Sequence, residues 1–255
     1  MRNGQNGRIT ALRSRIAAIE HGSGRVSART ALPFGVEAID RHLPGGGLAL
    51  GAVHEVAGGG PEVEHGAAAA LFAAGLLGRH PGPVLWILGR HDLFPAALAQ
   101  VGFDPGRLVL VQARRGALAA MEEGLRHPDL AGVVCELEGR LDLVASRRLQ
   151  LAAEASDVLG IVLRRSRRFD DPALVAPSGA WSRWRITGLP SPSPLRHAPE
   201  VDGVGRPIWR LELLRCRGAE AATWTVEGCD AQGRLALAPV LADRPAAEIA
   251  WQRAG

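Results

Sequence analysis

The chain has 255 residues, 47% of them hydrophobic and 22% charged, and a formal net charge of +4. This composition supports a sizeable core, and the length allows one large domain or two small ones. The longest apolar run, residues 67–77, is too short to cross a membrane, which takes about 20 residues, and no N-terminal stretch has the pattern of a signal peptide. Three widely spaced cysteines, Cys135, Cys216 and Cys229, indicate reduced thiols rather than a metal site. We therefore expect a cytoplasmic protein.

A helix is predicted near the N-terminus, at residues 8–20. Its apolar side chains recur at helical spacing, namely Ile9, Leu12, Ile16 and Ile19. A short helix with one apolar stripe cannot bury that stripe alone. We expect these side chains to pack either on the main body of the chain or on another chain. Residues 1–31, which include a linker after the helix, form a separate N-terminal segment in this prediction.

Strands and helices alternate from residue 32 onwards. The predicted strands are short apolar runs of the kind that parallel sheets bury on both faces, at residues 51–56, 84–88, 108–111, 132–135 and 160–163. The predicted helices between them occupy residues 66–77, 94–101, 117–126 and 141–156. A glycine-rich turn, residues 58–61, precedes the first of these helices. The alternation predicts an α/β fold in which helices flank a mostly parallel sheet.

The pattern changes after residue 163. Residues 180–186 alternate like a strand, residues 209–214 and 223–227 predict a β-hairpin, and residues 234–240 predict one more strand. We expect these strands to extend the same sheet, so the core with its C-terminal β-hairpin extension covers residues 32–243. The last segment, residues 244–255, is predicted to be a loose tail.

Positive charge is concentrated between Arg164 and Arg210, where nine arginines stand against four acidic residues. Such a field favours anionic partners, nucleic acid first, with a solvated surface as the alternative. Guanidinium groups bind phosphate and stack on bases. The candidate DNA-binding residues are Arg164, Arg165, Arg167, Arg168 and Arg183. Trp181 and Trp184 are candidate stacking platforms, although Trp184 shares a strand face with Ile186, which favours a core position.

Several motifs resemble the RecA family. The sequence FGVEAID at residues 34–40, followed by GGGLALG at residues 45–51, is similar to that family's entry into its first core strand. Residues 84–112 resemble the next strand–helix–strand unit. Within that family, three segments look like characteristic parts of the ImuA family, at residues 32–35, 179–185 and 209–215. The resemblance extends to about residue 240 and implies a RecA-like core.

The same resemblance implies a nucleotide site that has lost its chemistry. A phosphate-binding loop needs a lysine followed by serine or threonine, but this chain contains no lysine, since all 30 of its basic residues are arginine. Ala67 and Ala68 stand at those two positions. Arg90 stands where the family has its water-activating glutamate, and a guanidinium cannot act as a general base. The positions of the degenerate site are Gly60, Gly66, Ala67, Ala68, Arg90 and Glu136, of which Glu136 keeps the carboxylate of the Walker B position.

We therefore expect no ATPase activity, no tight ATP binding, no cofactor and no catalytic residue. The N-terminal end of the helix that begins near Gly66 would attract an anion, but the carboxylates of Glu62 and Glu64 oppose this. Because we expect no phosphate binding here, the stretch with Glu62, Glu64 and His65 is predicted to be an exposed loop.

The ImuA resemblance implies an accessory role in SOS-induced, error-prone translesion DNA synthesis. The family is encoded with ImuB, a catalytically inactive Y-family polymerase, and with a specialised polymerase III α-type subunit. The implied partner is an ImuB-like protein; RecA and single-stranded DNA are further candidates, the α-type subunit is an indirect one, and the protein would associate with the nucleoid when active. Two alternatives remain open: a divergent RecA-type DNA-dependent ATPase, and a cell-division inhibitor similar to SulA, another RecA relative without a phosphate-binding loop.

Overall fold

A computed structural model of the chain describes residues 30–113, 115–166, 168, 171–191 and 205–238. The strands are β1 (Ala31–Leu32), β2 (Leu48–Ala49), β3 (Val53–Gly58), β4 (Val84–Leu88), β5 (Leu108–Gln112), β6 (Gly132–Glu138), β7 (Leu159–Arg165), β8 (Ser182–Leu189), β9 (Ile208–Cys216), β10 (Ala222–Glu227) and β11 (Ala236–Leu237). The α-helices are α1 (Glu37–Asp40), α2 (Glu62–Gly78), α3 (Pro95–Leu98), α4 (Ala117–Leu125), α5 (Leu143–Ser156) and α6 (Pro172–Val175). Short 3-10 helices span Pro44–Gly46, Ala99–Val101 and Pro105–Arg107.

Nine strands form one sheet in the order β11-β10-β9-β8-β3-β7-β6-β4-β5. Every pairing from β8 to β5 is parallel, and every pairing from β8 to β11 is antiparallel. The carboxyl ends of β3, β4, β6 and β7 therefore meet at one edge of the sheet, where ligands of open α/β sheets usually bind. The candidate site lies at this edge.

Two hydrophobic cores cover the two faces of the sheet. Helix α2 packs on one face, where Phe72, Trp86 and Trp184 are fully buried. Helices α4 and α5 pack on the other face around Met121 and Leu149. Because successive strand residues point to opposite faces, β3, β4, β6 and β7 contribute apolar side chains to both cores, which explains their apolar character. The expectation of burial on both faces was wrong for the edge strand β5, where Val109, Leu110 and Val111 are 36–49% exposed.

Local sequence explains where the helices begin and end. The Asp142 carboxylate caps α5 by accepting a hydrogen bond of 2.7 Å from the amide of Ala145. Asp157 then ends the helix in the left-handed conformation, with φ of 64°. In α2, a Cβ on Gly75 would lie 2.4 Å from the sulfur of Cys229, so the absent side chain lets the C-terminal segment pack against the helix.

The predicted α/β class, the mostly parallel sheet and the C-terminal β extension are confirmed. The predicted start of α2 was wrong, since the helix begins at Glu62 instead of Gly66. Of the predicted strand at residues 234–240, residues 234–238 are described, and among them β11 spans Ala236–Leu237. No helix in the described part of the chain is long and apolar enough to span a membrane. The predicted N-terminal helix, with Ile9, Leu12, Ile16 and Ile19, and the predicted tail lie outside the described residues.

Candidate functional site: a closed phosphate-binding loop

The loop between β3 and α2 lies where the sequence predicts a degenerate phosphate-binding loop. Two of its amide groups are already engaged: the Gly59 amide donates to the carbonyl of Ile186 at 2.8 Å, and the Glu62 amide donates to the carbonyl of Ser166 at 2.7 Å. A phosphate-binding loop works by pointing such free amides at the anion. These two amide donors are thus occupied by hydrogen bonds within the protein and are not free to bind a phosphate.

The Glu62 side chain folds back over this loop. A Cβ on Gly66 would lie 2.8 Å from Cγ of Glu62, so the side chain covers the small residue at the start of the old motif. Its carboxylate forms an ion pair with Nε of Arg165 and lies 3.6 Å from Nη1 of Arg90. The expectation that Glu62 belongs to an exposed loop is therefore wrong, because its side chain is 13% exposed and ion-paired.

The other two residues of that expected loop also belong to α2. Glu64 has an exposed side chain, as expected, whereas His65 is half-buried and lies 3.7 Å from the Glu64 carboxylate. The two positions at which the sequence analysis expects the missing lysine and hydroxyl are also helical. Ala67 is exposed and Ala68 is buried, and neither carries a polar group.

Arg165, the last residue of β7, joins the loops of this edge. Its guanidinium binds both oxygens of Asp92 at 2.9 Å and Oε2 of Glu136 at 2.7 Å, in addition to Glu62. Fork-to-carboxylate pairs of this kind are among the stronger and more directional hydrogen bonds in proteins. Arg165 therefore ties β7, β6, the start of α2 and the loop after β4 together.

Glu136 is the best-satisfied carboxylate of the cluster. Besides Arg165, it accepts hydrogen bonds of 3.3 Å from the indole nitrogen of Trp86 and from the Gly89 amide. Burial nonetheless raises the pKa of Glu136 above its ordinary value, and Arg165 and Trp86 offset only part of this. Its carboxylate is thus held by two neighbouring side chains and one backbone amide.

Arg90 completes the cluster by binding Glu138 at the end of β6. This hydrogen bond raises the pKa of Arg90. A cavity of about 30 Å³ is lined by the loop, the start of α2 and the end of β7. A second cavity of about 430 Å³ adjoins it and is lined in part by Arg90, Glu136 and Glu138. Within the described residues, no group of three or more His, Cys, Asp or Glu side chains could hold a metal ion.

The predicted DNA-binding arginines are not one cluster. Arg164 points to the opposite face of the sheet from Arg165, where it pairs with Glu55, and its side chain is 2% exposed. Arg183 pairs with the same carboxylate at 2.8 Å, and Ser178 also donates to it. Burial lowers the pKa of Arg164, while Glu55 opposes that shift.

These placements correct the hypothesis for three of the five arginines. Arg164 and Arg183 are internal counter-ions of Glu55, and Arg165 is held by three carboxylates, so none of them presents a free guanidinium to DNA. Arg168 is exposed, and Arg167 lies outside the described residues. Trp181 and Trp184 are 7% and 0% exposed, so both are core residues and not stacking platforms.

Sequence reasoning missed Glu55 and Asp92 as partners of these arginines, and Glu138 as the partner of Arg90. The pairs join residues up to 128 positions apart, so local spacing carries no signal for them. Strand alternation does carry one: consecutive residues of a buried strand face opposite ways, so Arg164 and Arg165 could not share a partner.

The mostly parallel sheet flanked by helices, with its C-terminal antiparallel strands, is a RecA-like fold. The chain is similar to the crystal structure of the RadB recombinase, with a TM-score of 0.54 and 18% sequence identity over 79% of this chain and 97% of that one. It is 43% identical over 210 residues to Protein ImuA from two strains of Caulobacter vibrioides, covering 78% of this chain and 84% of the relative. No protein-family model matches the chain. At that identity and coverage, the chain belongs to the ImuA family.

Proposed function

We propose that this chain is a non-catalytic, RecA-like accessory protein of SOS-induced translesion DNA synthesis. Its membership of the ImuA family and its RecA-like fold support a role in SOS mutagenesis. The finer proposal is that it acts as an adaptor that brings an ImuB-like, inactive Y-family polymerase into contact with RecA or DNA in the cytoplasm.

The main support for a non-catalytic role is the ion pair between Glu62 and Arg165 at the loop between β3 and α2. A bound triphosphate would have to displace that carboxylate and would meet its negative charge. It would also have to break the hydrogen bond from the Glu62 amide to Ser166.

Losses of side-chain chemistry support the same proposal. Each missing transition-state donor costs roughly 10²–10³ in rate, and Ala67 and Ala68 supply neither the cation nor the hydroxyl for Mg²⁺. Arg90 cannot act as a base, and it is engaged with Glu138. Phosphate release should therefore stay at background with or without single-stranded DNA.

A nucleotide-binding experiment separates the missing side chains from the closed loop. Thermal unfolding is followed with and without excess Mg·ATP for the wild type, for Ala67→Lys/Ala68→Thr, and for the triple variant that adds Glu62→Ala. A ligand present at 100 times its dissociation constant would stabilise the protein by about 2.7 kcal/mol. We expect no shift for the wild type or the double variant, and a measurable shift only for the triple variant.

A clear rise in the melting temperature of the wild type would overturn the expectation that the chain does not bind ATP tightly. DNA-stimulated phosphate release would overturn the non-catalytic proposal and would favour the divergent ATPase. A shift for the double variant, without Glu62→Ala, would show that the loop is open and that only the lysine and the threonine are missing from it.

The adaptor proposal is tested by separate binding measurements with purified ImuB-like protein, RecA and single-stranded DNA. We expect binding to the ImuB-like protein. An absence of binding to all three would reject the adaptor role, and filamentation of cells on overproduction without the polymerase partner would favour the SulA-like alternative.

A further inference from the structure

Strands β8, β9 and β10 have one apolar face and one polar face. Trp184 and Leu211 lie on the face that α2 covers, and both are fully buried there. On the opposite face, Arg210, Thr223 and Thr225 are exposed to solvent. Thr225 of β10 pairs with Arg210 of β9, so their side chains lie on the same side of the sheet. Antiparallel strands commonly leave one face open to water in this way.

A β-bulge places two more arginines on this polar face. Simple alternation from Arg210 would put Leu214 there. The register between β8 and β9 shifts, however, so that Arg215 and not Leu214 lies opposite Arg183. The extra residue of a bulge redirects the side chains that follow it. Arg215, and Arg217 after it, therefore face the same way as Arg210.

Neither Arg215 nor Arg217 forms an ion pair with a carboxylate in the described part of the chain. The guanidinium of Arg215 donates hydrogen bonds to the backbone carbonyls of Ser178, at 3.2 Å, and Ala180. That of Arg217 donates to the carbonyl of Gly179, at 2.8 Å. Three consecutive carbonyl groups thus hold the two guanidinium groups next to each other without neutralising their charge. Because each guanidinium has five N–H donors, both keep donors for a ligand.

The polar face as a whole is positive. Its other two arginines, Arg185 and Arg210, share the carboxylate of Glu212, which binds Arg185 at 2.6 and 2.8 Å and lies 3.5 Å from Nε of Arg210. Four guanidinium groups of this face therefore stand against one carboxylate, which gives a formal charge of +3. The charge stays at +2 when Glu220, in the turn between β9 and β10, is included.

The chemistry of this face fits a phosphate backbone better than a protein partner. Among the described residues of β8, β9 and β10, no large apolar side chain is exposed, whereas the centre of a protein interface is usually apolar and aromatic. Arginine forks and threonine hydroxyls are, by contrast, common donors to phosphate oxygens. Glu227, at the end of β10, is paired with Arg206 and therefore adds no net negative charge.

We propose that the basic face of β8, β9 and β10 binds the phosphate backbone of DNA. The basic face is formed by Arg185, Arg210, Arg215, Arg217, Thr223 and Thr225. Arg215 and Arg217 bind phosphate groups directly, and the two threonine hydroxyls donate to neighbouring phosphates. Because no aromatic side chain in the described part of these strands is exposed for stacking on bases, binding is independent of base sequence. This proposal rests on the adaptor role and names the face with which the adaptor contacts DNA.

The test compares two variants of the basic face with two matched variants elsewhere. Arg217→Glu reverses a charge on the face, and Thr225→Glu adds a negative charge there without removing any arginine. Arg115→Glu and Ala119→Glu make the same two changes in charge at exposed residues before and within α4. Binding to a fluorescent single strand and to a duplex of the same length is measured by anisotropy over a range of salt concentrations. Thermal unfolding confirms that each variant is folded.

Both face variants should weaken binding by about fivefold or more at about 0.1 M salt, and both controls should stay within about twofold of the wild type. Each phosphate contact that is lost should lower the slope of log affinity against log salt by about 0.7 for a single strand and about 0.9 for a duplex. Arg217→Lys keeps the positive charge and should retain most of the affinity. The form of DNA whose affinity the face variants lower is the ligand of the face.

Unchanged affinity of the face variants for both forms of DNA, or an equal loss in the two controls, would overturn the proposal. If the wild type binds neither form, the basic face is wrong as well, while binding to the purified ImuB-like protein would leave the adaptor role standing. If the face variants lose affinity for the ImuB-like protein and keep their affinity for DNA, the face binds an acidic protein segment and the DNA proposal fails.

Discussion

Arg164 and Arg165 are neighbours on β7, yet they belong to two different ion clusters on opposite faces of the sheet. Arg164 shares the Glu55 carboxylate with Arg183 in the interior, where the Glu55 side chain is 1% exposed. Arg165 holds Glu62, Asp92 and Glu136 at the edge, with its own side chain 18% exposed. The inner cluster fixes the scaffold, while the outer one fixes the loops that an active relative would use for nucleotide.

The largest expected effect is the loss of the inner carboxylate. Glu55→Ala leaves two buried guanidinium groups without a counter-ion, and breaking a buried pair in this way costs about 3–5 kcal/mol. Urea denaturation measures the change. The exposed control Glu123→Ala should change the free energy of unfolding by no more than about 0.5 kcal/mol. A loss of less than about 1 kcal/mol for Glu55→Ala would mean that solvent reaches Arg164 and Arg183.

Removing the outer arginine should cost less. Arg165→Ala deletes hydrogen bonds to Asp92 and Glu136 and the ion pair with Glu62. Hydrogen bonds to charged groups are worth about 1.5–3 kcal/mol each. Because solvent can rehydrate Glu62 and Asp92, we expect a total loss of about 1–3 kcal/mol, again measured in urea. An equal or larger loss than that of Glu55→Ala would reverse the comparison between the two clusters.

The sequence predicted the scaffold much better than the ion clusters. Apolar runs such as those of β4 and β7 identify buried parallel strands, because burial on both faces demands continuous hydrophobicity. The absence of a lysine and of a hydroxyl side chain at Ala67 and Ala68 was likewise evident from the sequence. The ion pair between Glu62 and Arg165 could not be predicted from the sequence. The two residues are 103 positions apart in the chain, and only the folded sheet brings them together.

A double-mutant cycle should give a smaller effect and test the closure itself. Glu62→Ala, Arg165→Ala and the combined variant should reveal a coupling free energy of about 0.5–1 kcal/mol. The coupling should shrink in about 1 M salt, since partly exposed pairs are screened. Glu62 and Arg168, for which no contact is seen, provide the control pair and should be additive. Additive behaviour of Glu62 and Arg165 would show that the ion pair does not hold the loop shut.

The smallest effect concerns the pH dependence of the outer cluster. Since burial raises the pKa of Glu136, ionising this carboxylate costs more in the folded than in the unfolded chain. The free energy of unfolding of the wild type, relative to Glu136→Gln, should therefore be highest below the ordinary glutamate pKa of 4.5, fall as the pH rises through the raised pKa, and then stay level.

Urea denaturation of both proteins over a pH series measures this difference, with the exposed pair Glu123 and Glu123→Gln as the control. A difference that instead grows with pH would show that Arg165 outweighs burial and lowers the pKa of Glu136. Arg165 would then act chiefly as the counter-ion of Glu136, and its ion pair with Glu62 would contribute less to the position of the loop.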